Sequence, residues 1–384
     1  MIYLDNAATS WPKPTDVVDA MARFLSEVGA NPGRAGHRLA VESGRIVYRA
    51  RERIAELFSA HDPLQVVFGQ NVTEGLNLAL RGLLRPGDHV VTSSMEHNSV
   101  MRPLRLLEQA GVSVTVVQCS SQGELDPGDV EAAIRSDTKM VVLNHASNVT
   151  GTILPIGQVG RVARDRGVLF LVDAAQTAGV CEIDMQADRI DLLAFTGHKS
   201  LYGPTGTGGL VVGERVDLTH FRPLKLGGTG SRSEYELQPE FLPDMFESGT
   251  PNVVGLAGLE AALQWLSYRG VESVRRHEVG LAQYLIDGLL EIPGVTGYGG
   301  LRADSQTATV SFNIDALAPS EVGLRLDEEY GIMCRVGLHC SPAAHRTIGT
   351  FPDGAVRFGM GVFNTQDQVD IALMAVRTLA KAER

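Results

Sequence analysis

The sequence predicts an α/β fold: a large region built on a mostly parallel central sheet, followed by a smaller α+β region. Two patterns carry that reading. Between about residues 40 and 215, helical stretches of mixed charge alternate with short runs rich in Val, Leu and Ile. Such alternation gives a mostly parallel sheet with helices on both faces. Several runs are also continuously apolar, as in a parallel strand buried on both sides. In chain order, helices are expected over 43–58, 73–84, 101–110, 128–135 and 157–166. Strands are expected over 65–68, 89–92, 113–117, 140–144 and 168–172, with a further apolar run at 190–195. Residues 213–250, poor in pattern and rich in Gly, Ser, Arg and Glu, read as a long functional loop. Amphipathic stretches at 253–269 and 271–290 lead into the second region, about 295–384. It carries a strand-like run at 307–314 and helices at 320–330 and 365–381. The expected domains are 12–250 for the large one and 1–11 with 251–384 for the small one, which includes the long linking helix.

Composition narrows the function. At 384 residues and 44% hydrophobic, the chain has enough apolar matter for two cores, and disorder is not expected. A net charge of −11 argues against a nucleic-acid or anionic-membrane surface, which needs clustered Lys and Arg. No apolar run reaches the roughly 18 residues of a spanning helix, and the first residues carry no basic, then apolar, leader pattern. The four cysteines, Cys119, Cys181, Cys334 and Cys340, form no CxxC pair, so neither a zinc site nor a disulfide framework is expected. The expected compartment is the reducing cytoplasm.

The most informative pair is Asp173 and Lys199. Asp173 closes the run Val168-Leu169-Phe170-Leu171-Val172, and Lys199 follows the next apolar run in Thr196-Gly197-His198-Lys199-Ser200. Both would stand at the C-terminal edge of the sheet, where open α/β sheets bind ligands. One carboxylate and one amine there suit pyridoxal phosphate, which needs a lysine for its Schiff base and an acid to keep its ring nitrogen protonated. The same two residues also fit a strand-end Asp and a surface Lys.

Other motifs add to the pair. Gln70-Asn71-Val72-Thr73-Glu74-Gly75 opens a helix, and its N–H groups with the Thr73 hydroxyl suit an anion or an ordinary N-cap. Gly203 to Gly209 lacks the GK[ST] ending of a P-loop, and no G-x-G-x-x-G follows the first strand, so nucleotide binding is rejected. The glycines there suit a tight turn beside Lys199. His97, after a strand, fits ring stacking and proton exchange, or a hydrogen-bonded loop position. Asn148 and Gln176 are neutral amides suited to a phenolate, a substrate or a turn. Cys340 sits in Arg335-Val336-Gly337-Leu338-His339-Cys340-Ser341-Pro342, where Arg335 and His339 would favour a thiolate; an inert buried thiol is the other reading. Cys334, after Ile332-Met333, reads as the inert case. Arg357 alternates with apolar residues as in a half-buried strand, and a carboxylate held bidentately would partner it.

Together these residues resemble the class V aminotransferase family of PLP fold type I, from Tyr3-Leu4-Asp5-Asn6-Ala7-Ala8 to Phe363-Asn364-Thr365. Within it the chain is most similar to the cysteine desulfurases, the SUF-type (group II) branch in particular, whose cysteine loop is short like the connection from Cys340 to Arg357. The resemblance implies Lys199 as the Schiff-base lysine, Asp173 at the pyridine nitrogen, Gln176 at the ring oxygen and His97 stacked on the ring. It implies Thr73, Thr196 and His198 as the phosphate cup, and Thr250 reaching the phosphate of a partner subunit in a homodimer. Arg357 matches the substrate-carboxylate arginine, and Asn148, Arg335 and His37 (in Asn31-Pro32-Gly33-Arg34-Ala35-Gly36-His37) match further substrate-side positions. Cys340 matches the nucleophile, which takes sulfur from L-cysteine as a persulfide, leaves L-alanine and supplies an acceptor protein in iron–sulfur or thio-cofactor assembly. A selenocysteine lyase, a cysteine/cystine C–S lyase or a class V transaminase would share the cofactor machinery without the same need for Cys340. An assembly-complex protein that only binds partners would not need Lys199, Asp173 and Arg357 together.

Overall fold

The computed structural model describes residues 1–33 and 36–382. The chain begins with a two-residue strand, β1 (Ile2–Tyr3). The central sheet then collects β2 (Val66–Gly69), β3 (His89–Ser93), β4 (Ser113–Val117), β5 (Thr138–Asn144), β6 (Leu169–Asp173), β7 (Leu192–Thr196) and β8 (Gly208–Val212). Their order is β2-β8-β7-β6-β5-β3-β4. Every neighbouring pair is parallel except those of β8, which runs against both β7 and β2. The apolar runs become its interior: β7 is buried along its whole length, β5 from Met140 and β6 from Phe170 onward, and β3 and β8 are buried throughout as well. Helices Arg38–Phe58, Val72–Leu83, Asn98–Gln109, Pro127–Ala133 and Ile156–Asp165 connect or cover these strands, within a few residues of the sequence-based bounds.

A second sheet follows the long helices Val253–Arg269 and Val271–Leu290. It holds β9 (Val295–Tyr298), β10 (Thr309–Ile314), β12 (Arg335–Gly337) and β13 (Ala355–Gly359), all antiparallel, while β11 (Ile332–Met333) pairs with β1. Ile2 and Leu4 share one core with Phe312, Phe358 and Leu379. Leu256, Leu259 and Leu263 of the first long helix pack instead with Ile54 and Phe195 of the large core.

Two expectations need correcting. The glycines at 208 and 209 do not make a turn; they lie inside β8. A Cβ on Gly209 would stand 2.1 Å from the Val67 carbonyl oxygen, so only glycine allows β2 and β8 to approach this closely. Second, the strand bearing Arg357 is buried at all five positions, not half-buried. Residues 221–252 form neither α-helix nor strand, as expected of the long loop.

Candidate active site

The sheet edge sets the geometry. Asp173 is the last residue of β6 and pairs in register with Ala194 of β7; Lys199 follows β7 by three residues. Both open into one cleft of about 270 Å³, together with Thr73, His97, Asn148, Gln176, His198, Arg335, Cys340 and Arg357. The Asp173 carboxylate is buried and accepts from the Ala175 N–H at 2.9 Å. Burial raises its pKa, with the Lys199 charge opposing. Desolvation lowers the Lys199 amine to about 8, with Asp173 pulling the other way. An amine so placed exchanges protons near neutral pH.

His97 caps the helix Asn98–Gln109. Its Nδ1 accepts from the Ser99 N–H at 3.0 Å and lies 2.9 Å from Ser99 Oγ, which in turn lies 2.8 Å from Thr73 Oγ1. Desolvation, helped by the Lys199 charge, lowers His97 to about 4, so the ring is neutral at pH 7. A neutral ring that accepts at Nδ1 carries its proton on Nε2. Ser99 escaped the sequence reading; a serine two residues after a capping histidine looks like ordinary helix-start chemistry.

The phosphate corner is recognisable by what it leaves open. Asn71, not Thr73, caps the helix Val72–Leu83, accepting from Glu74 N–H at 3.1 Å, and Thr73 lines the cleft. Thr196 Oγ1 and His198 Nδ1 are buried with no hydrogen-bond partner among the described residues. Orphaned polar atoms beside a helix N-terminus fit a phosphate. Lys13 was also missed. Its Nζ donates to the His198 carbonyl at 2.8 Å, and desolvation lowers it to about 8. Gln176 Nε2 donates to the Ala7 carbonyl at 3.1 Å, which draws the N-terminal segment over the cleft.

Arg357 is nearly inaccessible. Its Nη2 donates to Asp5 Oδ1 at 2.8 Å and its Nη1 to the Asn148 carbonyl at 2.8 Å, while Nε has no partner among the described residues. Asp5 was quoted in the sequence motif but not singled out; only the fold brings it beside Arg357, 352 residues away.

Cys340 is the exposed one of the four cysteines. Burial pushes Cys334 up to about 12 and both Cys119 and Cys181 to about 11, which leaves those three as unreactive thiols. The Cys340 loop is tied down on two sides. Its carbonyl accepts from Asn98 N–H at 2.9 Å. The Asn148 amide donates to the His339 carbonyl at 2.7 Å and accepts from Ser341 Oγ at 2.6 Å. These bonds hold His339 and Cys340 in the left-handed region, at φ 49° and 60°. Arg335 Nη2 lies 3.8 Å from Cys340 Sγ. His339 does not add the positive charge expected of it. It is buried against His345, at 3.2 Å, and desolvation drives it down to about 2.

Thr196, the last residue of β7, does not itself line the cleft, and two further expected residues lie outside it. Thr250 lines a second groove with Glu247 and Asn252. His37 is exposed and caps the helix Arg38–Phe58. Arg34 and Ala35 of its segment lie outside the described residues.

The mostly parallel sheet brings a lysine and a buried carboxylate into one cleft, as the sequence leads one to expect. The chain belongs to the class-V aminotransferase family, whose model matches residues 2–372. It is 36% identical over 378 residues to a Methanothermobacter thermautotrophicus protein named a probable cysteine desulfurase, covering 96% of this chain and 92% of that one. It is 35% identical over 384 residues to a cysteine desulfurase of Haloferax volcanii, covering 98% and 88%. The apo cysteine desulfurase of Thermococcus onnurineus matches the structure with a TM-score of 0.93 at 34% identity, covering 99% of this chain and 95% of that one. The cysteine desulfurase CsdA of Escherichia coli, in its S-sulfonic acid form, matches with 0.88 at 30% identity, covering 99% and 94%.

Proposed function

We propose that this chain is a pyridoxal-phosphate-dependent cysteine desulfurase. It converts L-cysteine to L-alanine and keeps the sulfur as a persulfide on Cys340, for an acceptor protein in iron–sulfur or thio-cofactor assembly. One observation carries the reading: the single exposed cysteine shares a cleft with Lys199, Asp173 and Arg357. A transaminase would need no thiol there. Selenocysteine lyases and C–S lyases would not need Cys340 pinned from both sides.

Lys199 is the residue that would hold the cofactor, with Asp173 at its ring nitrogen, Gln176 at its ring oxygen and Thr73, Thr196 and His198 at its phosphate. When bound, pyridoxal phosphate supplies an electron sink at the substrate Cα. The Lys199 amine, lowered to about 8, removes the Cα proton and later returns a proton to carbon. Arg357, its charge held by Asp5, receives the substrate carboxylate where its side chain borders the cleft, and Arg335 and Asn148 border the same space. The Cys340 thiolate, beside the Arg335 guanidinium, attacks the substrate sulfur. The new S–S bond forms as the C–S bond breaks with its electron pair left on carbon. Protonation of that carbon completes alanine; the transferred sulfur keeps its own proton in the Cys340 persulfide, and neutral His97 offers its Nε2 proton to that sulfur as a hydrogen bond. His97 also supplies a flat neutral face for the ring.

A homodimer accounts for the two outlying residues: Thr250 and His37 of one copy complete the cleft of the other. The proposed division at 12–250 and 1–11 with 251–384 gives the cleft residues from both parts, Lys199 from the first and Arg357 from the second, while Leu256, Leu259 and Leu263 pack with the large core. Among the described residues no helix is long and apolar enough to cross a membrane; the proposed compartment is the cytoplasm. The test is direct. Purified protein supplied with pyridoxal phosphate should turn yellow and release alanine and sulfide in equal amounts from L-cysteine with a thiol reductant. Pyruvate in place of alanine, or a protein that takes up no cofactor, would refute the reading.

A further inference from the structure

Beside the cleft lies a groove of about 400 Å³ between helix Asn98–Gln109 and the short helix Pro342–Thr347. Its chemistry differs from that of the rest of the protein. Arg102, Arg105 and Arg346 line it, and all three are exposed. This concentration of positive charge stands out on a chain whose net charge is −11. Arg105 is paired with Glu108 at 2.6 Å. Arg102 and Arg346 have no carboxylate partner among the described residues; Arg346 is laid over the Phe351 ring, 4.1 Å from its centroid. Leu106, 54% exposed, gives the groove an apolar contact point.

The groove is continuous with the cysteine loop. Asn98, at the start of the first helix, donates its N–H to the Cys340 carbonyl, and Pro342 and Ala343 on the groove wall follow Cys340 directly. Whatever occupies the groove therefore lies beside the exposed thiol. An acidic surface fits the arginines, and charge complementarity of this kind steers encounter and fixes register.

We propose that this groove docks an acidic sulfur-acceptor protein, with carboxylates flanking its receiving cysteine seated on Arg102, Arg105 and Arg346. The inference rests on the desulfurase reading and names the partner for its product. In the transfer, the acceptor thiolate attacks the outer sulfur of the Cys340 persulfide. A new S–S bond forms on the acceptor, the old one breaks, and Cys340 leaves as thiolate. No outside oxidant or reductant is needed. The apolar contact at Leu106 and the small span of the groove favour a protein segment over a nucleic-acid backbone.

The probes are two cysteine-containing peptides of equal length, one with Glu and Asp around the cysteine and one with Lys. The holoenzyme is loaded with L-cysteine, and persulfide on each peptide is followed by mass spectrometry. The acidic peptide should receive sulfur at least about tenfold faster at low ionic strength, an advantage that salt erodes. Arg105→Glu with Arg346→Glu should abolish the advantage, while alanine release driven by a small thiol stays unchanged. Arg105→Gln with Arg346→Gln should fall between, and it keeps the test open should the charge reversal fail to fold. Equal rates for the two peptides, or an advantage that survives both variants, would overturn the assignment. So would displacement of the acidic peptide by a short single-stranded RNA of equal charge. A parent enzyme that forms no persulfide on Cys340 would instead bring down the desulfurase reading, and the groove's role with it.

Discussion

Replacing Asp5 with Asn tests how the buried arginine is held. Arg357 is 2% exposed at its side chain and Asp5 23%, and they meet at 2.8 Å. At that distance, with an effective dielectric near 20, the gross attraction is about 6 kcal/mol. Removing one partner of a buried pair leaves the other charge uncompensated and costs about 3–5 kcal/mol. The partial exposure of Asp5 moves the expectation to the lower end, about 3 kcal/mol. Asp5→Asn preserves shape and one acceptor, so the loss reports charge. Denaturant unfolding of both proteins at neutral pH measures it. L-Alanine, which brings a carboxylate and no sulfur, should stabilise the variant more than the parent, because its carboxylate replaces the missing counter-charge on Arg357. A loss below about 1 kcal/mol, with no added response to L-alanine, would refute the view that Asp5 holds the arginine's charge.

Two further outcomes follow from the same geometry. Glu278 is buried and held up to about 8 by desolvation, with Tyr202 Oη donating to it at 3.3 Å. Its folded-state value is raised, so the stability linked to its proton is full below the unfolded carboxylate range, falls as pH rises, and is gone above about 8. Glu278→Gln should therefore flatten the decline in melting temperature between pH ~5 and ~8, a difference on the order of a few kcal/mol; parallel pH profiles would contradict this. Asn148→Ala removes both amide bonds that pin the Cys340 loop and leaves the His339 carbonyl without its Asn148 partner. Persulfide formation, followed in a single turnover, should slow by about tenfold or more while the yellow cofactor colour remains; unchanged rates would show that the loop needs no such tie.

Much of this was legible in the sequence, and the limits have physical causes. Continuous apolar runs announced the buried parallel strands, and the carboxylate closing one of them announced the sheet edge. β8 was missed because Gly208 and Gly209 look like turn residues; the need for them is the close approach of Val67 and Asn71, which only the folded sheet reveals. The short strands β9, β11 and β12 carry too few residues to show a period. Lys199, Asp173, His97 and Cys340 could be picked out because each follows a strand or sits in a loop with a reactive group. Ser99, Asp5 and Lys13 could not, since their roles arise from contacts across long stretches of chain or from a helix start that looks ordinary. His339 was misjudged for a related reason: proximity in sequence to Cys340 gave no hint that its ring turns inward to His345.

The central claim is that Cys340 receives the substrate's sulfur. The most direct measurement is intact-protein mass spectrometry of the holoenzyme after one equivalent of L-cysteine, without reductant, for the parent and for Cys340→Ala. The parent should gain one sulfur, mapped by proteolysis to Cys340, with one alanine released. The variant should stay yellow and gain none. A variant that acquires sulfur elsewhere, or that turns over L-cysteine at the parent's rate, would contradict the account.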